Sequence, residues 1–323
     1  MLLLVIILLP MVVAPLVYIL QDRTRVASLV AAAVSLAGVA LVWQVELGAG
    51  LALRGRPLVM TLLDRHLLTL LWGLLALTFT YAWGRPQGAL FCPCTLIALG
   101  LASAVLLVEN LVLSALLLEI ALMVCILLIP GETFDAHSLQ ASLRGLTQVM
   151  IAVPCLLLLV YLLEQRELHP ESAGLLRAIR VVMVVGFGII LAAVPFHSWL
   201  SMAAGHASPL AAFVLMLVSG TLGSSLLLST MEQYHWLGEE GAIFSILKVG
   251  GLSTALAGGV LAACQRKPER LLGYSAIGDM GCILAGFATH SVLGLGGVIL
   301  HLITRSISLL LVSVGVDGLR QAN

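Results

Sequence analysis

Charged residues are scarce in this sequence. Asp, Glu, Lys and Arg make up 10% of the 323 residues, whereas a soluble domain carries roughly 25%. Hydrophobic residues make up 61%, and the mean hydropathy is +1.13. A water-soluble fold cannot cover so much apolar surface, so we predict an integral membrane protein that is embedded in the lipid bilayer.

Net charge and metal-ligand patterns are also missing. Lys plus Arg and Asp plus Glu both number 16, so no basic face predicts a nucleic-acid partner. The six cysteines lie almost entirely in apolar runs, without zinc or iron–sulfur spacing. The sequence contains no protease dyad and no Gly-rich nucleotide loop. We therefore predict no catalytic residue, metal or cofactor in this chain.

What the sequence does contain is a series of long apolar runs. The first of them lacks the features of a signal peptide and is long enough to span a bilayer. Backbone groups in hydrocarbon must be satisfied within the segment, so each run is predicted to be a helix. The predicted fold is an all-α polytopic membrane helix bundle of about eleven transmembrane helices, forming one domain over residues 1–323. The runs lie near residues 1–20, 26–48, 58–83, 90–108, 110–129, 142–163, 177–194, 207–230, 242–264, 270–289 and 291–316.

Five ionisable residues interrupt these runs, and each is a functional candidate because a charge in a membrane span is energetically costly. Glu119 has apolar residues on both sides, which predicts burial against protein near the middle of the bilayer; a purely structural carboxylate is the alternative. His301 and Arg305 are four residues apart, on one helical face, and with Asp279 they are predicted to form a buried polar chain. Lys248 lies close enough to its helix end to extend to the interface instead.

The seventh run is predicted to be broken. Two glycines and Pro195 occur in VVGFGIILAAVPFHSWLSMAAG, and a proline removes a backbone N–H and clashes with the preceding turn. We expect the break between about Ala192 and Trp199. The freed carbonyl groups must then line a polar cavity or be bridged. His197, beside the break, either relays protons or only hydrogen-bonds the freed backbone.

At these positions the chain resembles the antiporter-like membrane subunits shared by respiratory complex I, Mrp-type sodium/proton antiporters and membrane-bound group 4 hydrogenases. The resemblance covers roughly residues 60–316. Asn110-Leu111, which leads to Glu119, is similar to the start of the family's fifth span. The string PFHSWL, from Pro195, resembles the end of the family's broken seventh span. QRKPERLLGYSAIGDMG, which ends at Gly281, resembles a later family string.

The chain also departs from the family pattern. His301 is retained, but Arg305 replaces a second histidine, and Asp279 stands where histidine is common. The family's seventh-span lysine aligns with Ile190, and its eighth-span lysine aligns near Thr221. A lysine beside a buried glutamate lets the charge of one group shift the pKa of the other. The resemblance therefore implies a reduced member of the family. It comprises N-terminal helices (1–83), a first five-helix repeat (90–230) and an incomplete second repeat (242–316).

Three functions remain open. The first is a membrane-arm subunit of a multisubunit, redox-driven, proton-translocating complex that is complex I-like or hydrogenase-like. The second is a non-pumping scaffold, and the third is the membrane half of an ion or inorganic carbon transporter. In the first, this chain is at most a non-catalytic subunit in a bacterial or archaeal cytoplasmic membrane; its partners are other membrane subunits and, indirectly, soluble redox subunits. The predicted proton path consists of Glu119, His197, Lys248, Asp279, His301 and Arg305.

Overall fold

The computed structural model describes residues 1–48, 50–53, 56–131 and 135–322, and nearly all of them are helical. A short antiparallel hairpin pairs Gly50 with Val59. The elements are α1 (Leu2–Ile19), α2 (Thr24–Gln44), β1 (Gly50–Leu53), β2 (Arg56–Val59), α3 (Leu62–Gly84), α4 (Phe91–Leu107), α5 (Leu111–Ile126), α6 (Ala136–Leu168), α7 (Ala173–Ile190), α8 (Ser198–His206), α9 (Pro209–Gln233), α10 (Gly241–Ala263), α11 (Pro268–Phe287) and α12 (Val292–Ala322).

The predicted all-α membrane bundle is confirmed. The described residues form twelve α-helices, or eleven when α7 and α8 are counted as halves of one interrupted helix. Eight helices are long and apolar enough to cross a bilayer, and α4 and α5 are shorter apolar helices. Two details differ from the prediction. The hairpin was not expected, and α6 has 33 residues because its polar ends continue the helix beyond the apolar run.

Helix starts follow local side-chain chemistry. A polar side chain before the first helical residue accepts a hydrogen bond from a backbone N–H of the first turn, which would otherwise lack a partner. At α3, the Thr61 side chain accepts from the Asp64 N–H, and the Asp64 carboxylate accepts from Thr61 in return. The other helices that begin this way are α5, α6, α7 and α9, capped by Asn110, Asp135, Ser172 and Ser208.

Helix α9 is the centre of the bundle. Every residue of its most apolar stretch is buried, and it contacts α3, α4, α5, α7, α8, α11 and α12. Contacts from α3 through α6, from α6 to α8, from α8 to α11, and through α12 back to α3 form a ring around it. Helices α1 and α2 pack outside α4 and α3, whereas α10 packs outside α11. Because α9 is central, α5, α11 and α12, which carry candidate functional residues, all contact it.

Helices α10 and α11 approach each other through glycines. A Cβ atom at Gly281 would overlap the backbone nitrogen of Ala255, and one at Gly258 would overlap the backbone of Gly278. Small residues at such crossings allow backbones to touch, which is how membrane helices associate in the absence of a hydrophobic driving force. This contact fixes the position of α11, the helix that carries Asp279.

We predict that Gly281→Ala separates α10 from α11, because the new methyl group has no space beside Ala255. Overpacking of this kind destabilises by about 1–3 kcal/mol, so the purified protein should unfold at a lower temperature in detergent. Gly259→Ala, on the same helix pair, is the control because its Cβ would meet nothing within 4 Å. Equal unfolding temperatures for the two variants would contradict the close approach.

Candidate functional site

The seventh span is broken, as the sequence predicts. Helix α7 ends at Ile190, α8 begins at Ser198, and the seven residues between them make turns. Within that segment the peptide bond before Pro195 is cis, and Ala192 has a φ angle of 49°. The break therefore lies at the predicted residues.

The groups freed by the break find partners in neighbouring elements. The Val194 N–H donates to Thr254 Oγ1 on α10 at 3.0 Å, and Trp199 Nε1 donates to the Ile189 carbonyl at 2.9 Å. Thr254 and Trp199 are both buried. An unpartnered N–H in hydrocarbon costs several kcal/mol, so Thr254 stabilises the broken conformation. Sequence reasoning missed this residue, whose only signal is a hydroxyl within a Gly- and Ala-rich span.

His197 faces α11 across the end of the break. Its ring lies 6.4 Å from that of Tyr274, centroid to centroid, at an angle of 50°. Its Nδ1 atom is buried, and no described residue hydrogen-bonds to it. The expectation that His197 satisfies the freed backbone is therefore not met by the described residues, and the role in proton relay stays a prediction.

Asp279, His301 and Arg305 come together between α11 and α12. The Asp279 Oδ1 atom lies 3.7 Å from His301 Nε2, which is within ion-pair range but too long for a hydrogen bond. The Arg305 charge is close enough to act on the Asp279 carboxylate. Asp279 and His301 retain 36% and 37% side-chain exposure, so the expectation of a fully buried chain is wrong for these two residues. Only Arg305 is buried, at 2%.

The Arg305 guanidinium lies against the central helix. A Cβ atom at Gly220 of α9 would be 2.6 Å from Arg305 Nη1, so the guanidinium would have to shift if this residue carried a side chain. None of the guanidinium nitrogens has a hydrogen-bond partner among the described residues. The hydroxyl groups of Thr221 and Ser224, on the same stretch of α9, are likewise buried and without described partners. Such a group of polar atoms is a place where ordered water satisfies buried donors.

Glu119 lies on α5, apart from this group. Its side chain is only half-buried, and no described residue hydrogen-bonds to it or pairs with it. The expectation of burial against protein is therefore wrong for this chain alone. The reason is helical phase: Val112, Leu116 and Ile120 form the exposed face of α5, and Glu119 borders that face, whereas α4, α6 and α9 cover the other side.

Lys248 also faces outward. It is exposed on α10, seven residues after Gly241, beside Val249 and Leu252, which are exposed as well. At a rise of 1.5 Å per residue it lies about 10 Å from the start of the helix. No described residue pairs with it, so the structure does not join Lys248 to Asp279, His301 and Arg305.

Two polar cavities lie at opposite ends of α5 and α9. The first has a volume of about 670 Å³ and contains carboxylates of α3, the α4–α5 loop and α9; its polar lining is Thr61, Asp64, Glu109, Ser114, Ser225, Ser229, Glu232 and Gln233. The second, of about 630 Å³, is lined in part by His206, Ser208, Asp317 and Arg320. Sequence reasoning missed both cavities because their charged residues lie near helix ends, where a charge is not unusual.

A family model and several curated proteins are similar to this chain in sequence. A family model described as NADH:quinone oxidoreductase/Mrp antiporter, transmembrane, matches residues 108–320. NADH-quinone oxidoreductase subunit N of Chromohalobacter salexigens is 30% identical over 189 residues, which cover 53% of this chain and 38% of the relative. NAD(P)H-quinone oxidoreductase chain 4-2 of Synechocystis sp. is 32% identical over 133 residues, covering 39% and 22%. The chain thus spans less than half the length of these curated relatives.

Solved structures share the fold at low sequence identity. A chain of the Mrp complex from Dietzia sp. superposes with a TM-score of 0.77 at 19% identity, covering 95% of this chain and 62% of that chain. An archaeal membrane-bound sulfane sulfur reductase gives 0.78 at 14% identity, with 95% and 69% coverage. Respiratory complex I from Thermus thermophilus gives 0.72 at 19% identity, with 97% and 70% coverage. These similarities establish a common helical architecture.

We predict that Thr254→Val destabilises the break, because valine has a similar shape but cannot accept the Val194 N–H. Leaving that donor buried costs about 1–3 kcal/mol, and amide hydrogen exchange around residues 191–197 should become faster. Thr254→Ser keeps the hydroxyl and should behave like the wild type. Ser253→Ala is a control on the same helix, since the Ser253 hydroxyl bonds only within α10. Unchanged exchange in Thr254→Val would contradict this role.

Proposed function

Because the chain belongs to the NADH:quinone oxidoreductase/Mrp antiporter transmembrane family, we propose that it is a membrane-arm subunit of a multisubunit, redox-driven complex in which protons pass between Asp279 and His301, with Arg305 as a nearby fixed charge. The family match at residues 108–320 includes all three residues. In this proposal the partners are other membrane subunits, and soluble redox subunits act on the chain only through them.

The observation that carries the proposal is the charged group between α9, α11 and α12. An arginine, a carboxylate and an imidazole at membrane depth are energetically costly unless they interact. Here the imidazole and the carboxylate are 3.7 Å apart, and the arginine, one helical turn after the imidazole, is buried. A bundle that only served as a scaffold would gain stability if leucine replaced these residues. Because the chain keeps these destabilising charges, proton transfer is favoured over a purely structural role.

His301 and Asp279 are suited to exchange a proton. An imidazole ring can accept a proton on one nitrogen and donate one from the other, so His301 has the chemistry to pass a proton on. The 3.7 Å separation shortens to hydrogen-bond length with a movement of about 1 Å, or is bridged by one water molecule. Their partial exposure at membrane depth suits a pair that a neighbouring membrane subunit covers in the complex.

Arg305 has a different task. A guanidinium stays protonated at any relevant pH, so Arg305 cannot carry the proton itself. Its fixed positive charge attracts the negative charge of a carboxylate, so Arg305 acts on the proton path only through Asp279. Arg305 is thus a positioning charge, while Asp279 and His301 hold the proton.

Arg305 also compensates for a missing lysine. The residue that aligns near the family's eighth-span lysine is Thr221, and Arg305 lies against Gly220, the adjacent residue on the same helix. The family's seventh-span lysine is replaced by Ile190, which packs on Gly223 of α9. We infer that α12 supplies, against the same stretch of α9, the positive charge that α9 itself has lost.

The two polar cavities support access from both membrane faces. The first lies where α9 ends and the second where α9 begins. Between them the buried hydroxyls of Thr221 and Ser224 lack described partners. Bound water at those hydroxyls would connect the cavities to Arg305 along α9.

We predict that Arg305→Leu strongly reduces proton translocation by the assembled complex. Without the guanidinium, the Asp279 carboxylate loses a neighbouring fixed charge and exchanges protons with His301 less efficiently. Loss of acid–base exchange of this kind slows transfer by about 10²-fold or more. Proton-to-electron stoichiometry in vesicles is the measurement, and complex yield is the check on assembly. Arg305→Lys keeps the charge and should retain most of the activity.

A charge-relocation variant tests the inference about Thr221. Thr221→Lys combined with Arg305→Leu restores a cation next to the same stretch of α9, and we expect it to recover proton translocation relative to Arg305→Leu alone. Thr221→Lys in the wild-type background brings two cations together and should lower the yield of the complex. An inactive but fully assembled double variant would contradict charge compensation.

The variant Glu119→Gln distinguishes a proton path through Asp279 and His301 from a path through α5. Glu119 is half-exposed and has no described partner, so we expect an unchanged proton-to-electron ratio. A reduced ratio would show that the path includes Glu119. If wild type, Glu119→Gln and Arg305→Leu all translocate equally, the proposal fails and the scaffold function stands.

A further inference from the structure

A groove on the outer surface of the bundle reaches the helix break. It lies between α7 and α10 and has an internal volume of about 70 Å³. Glycine at 250 leaves it open, since a Cβ there would meet nothing within 4 Å. Val184 and Ile246, on its two edges, are exposed, so the groove faces the bilayer. We call it the α7–α10 groove; its walls include Met183, Val184, Phe187, Ile246 and Leu247, and its inner end is formed by Ala193, Val194 and Phe196.

An ion pair lies at the membrane-surface end of the groove. Arg180, which lines the groove, donates from Nη2 to Glu240 Oε2 at 2.9 Å. Glu240 directly precedes the first residue of α10. A guanidinium has five N–H donors, and Arg180 Nε is buried without a described partner. The pair therefore offers one cation with unused donors and one anion side by side.

We propose that the α7–α10 groove binds a zwitterionic aminophospholipid, with an acyl chain in the groove, the phosphate at Arg180 and the ammonium at Glu240. The proposal does not depend on proton transfer. The two charges at the mouth match the two charges of the headgroup, whereas an anionic lipid would leave Glu240 facing a negative charge.

The shape and the lining of the groove favour a hydrocarbon chain over water. Apolar cavities stay dry because water finds no hydrogen-bond partners in them, and empty space forfeits dispersion contacts. From Arg180 to Gly188 the groove extends about 12 Å along α7, which suits a narrow, extended chain. The occupant would touch Val194, whose N–H bonds to Thr254, and would therefore shield the hydrogen bond that holds the break.

The test uses the full chain in its native complex, in nanodiscs of phosphatidylethanolamine or phosphatidylglycerol. A photoreactive residue replaces Ile246 in the groove or, as a control, Val260, which is exposed on the same helix and is not a groove residue. We expect phosphatidylethanolamine adducts, identified by mass spectrometry, to form at position 246 in about ten-fold excess over position 260. Equal labelling at the two positions, or an adduct with a protein at 246, would overturn the proposal.

Matched variants test the groove and its mouth separately. Gly250→Leu fills the groove, and we expect retained phosphatidylethanolamine to fall about ten-fold, equivalent to about 1.4 kcal/mol. Gly259→Leu adds the same side chain where the space is equally open and should retain the lipid. Glu240→Gln should abolish the preference for phosphatidylethanolamine over phosphatidylglycerol. Unchanged retention in Gly250→Leu, or equal binding of both lipids by the wild type, would contradict the proposed occupant.

Discussion

Polar groups at membrane depth must be satisfied without bulk water, and the arrangement of the second half of the chain depends on this constraint. Pro195 interrupts α7, and the broken segment persists because Thr254 accepts the Val194 N–H and Trp199 donates to Ile189. Thr254 belongs to α10, whose backbone touches α11 through glycines. The break, α10 and α11 therefore form one series of direct contacts, and Asp279 lies at its end.

Arg305 is a charged group under the same constraint, because it is buried at membrane depth. An arginine at the centre of a membrane helix costs about 2.5–3.5 kcal/mol on insertion scales, and Gly220 leaves open the space that the guanidinium occupies. Helix α12 thus carries the guanidinium, and α9 provides the space for it. Its neighbours Asp279 and His301 are the nearby groups that can hold a proton, so the electrostatic effect of Arg305 falls on a pair able to transfer one.

Some of these features could be predicted from the sequence, and the reasons are specific. Pro195 follows two glycines in one span, and this combination predicted the break, whereas Pro10, Pro15 and Pro154 lie inside continuous helices. Spacing of four residues puts His301 and Arg305 on one face, so both predictions follow from the local sequence. The orientation of Glu119 could not be predicted, because α5 is apolar on all sides and carries no pattern that distinguishes its covered face. Thr254 was missed for a related reason: its importance depends on a partner 60 residues away.

Two helices pack against the same stretch of the central helix α9. Ile190 packs on Gly223 from α7, and Arg305 packs on Gly220 from α12, so α7 and α12 approach α9 within one turn of each other. Residues three apart on a helix are neighbours, so an apolar side chain and a guanidinium meet α9 side by side. In the function we propose, the cation near the centre of the bundle comes from α12. The proposed proton path then runs on the α11–α12 side of α9, where the half-exposed Asp279–His301 pair can meet a neighbouring subunit.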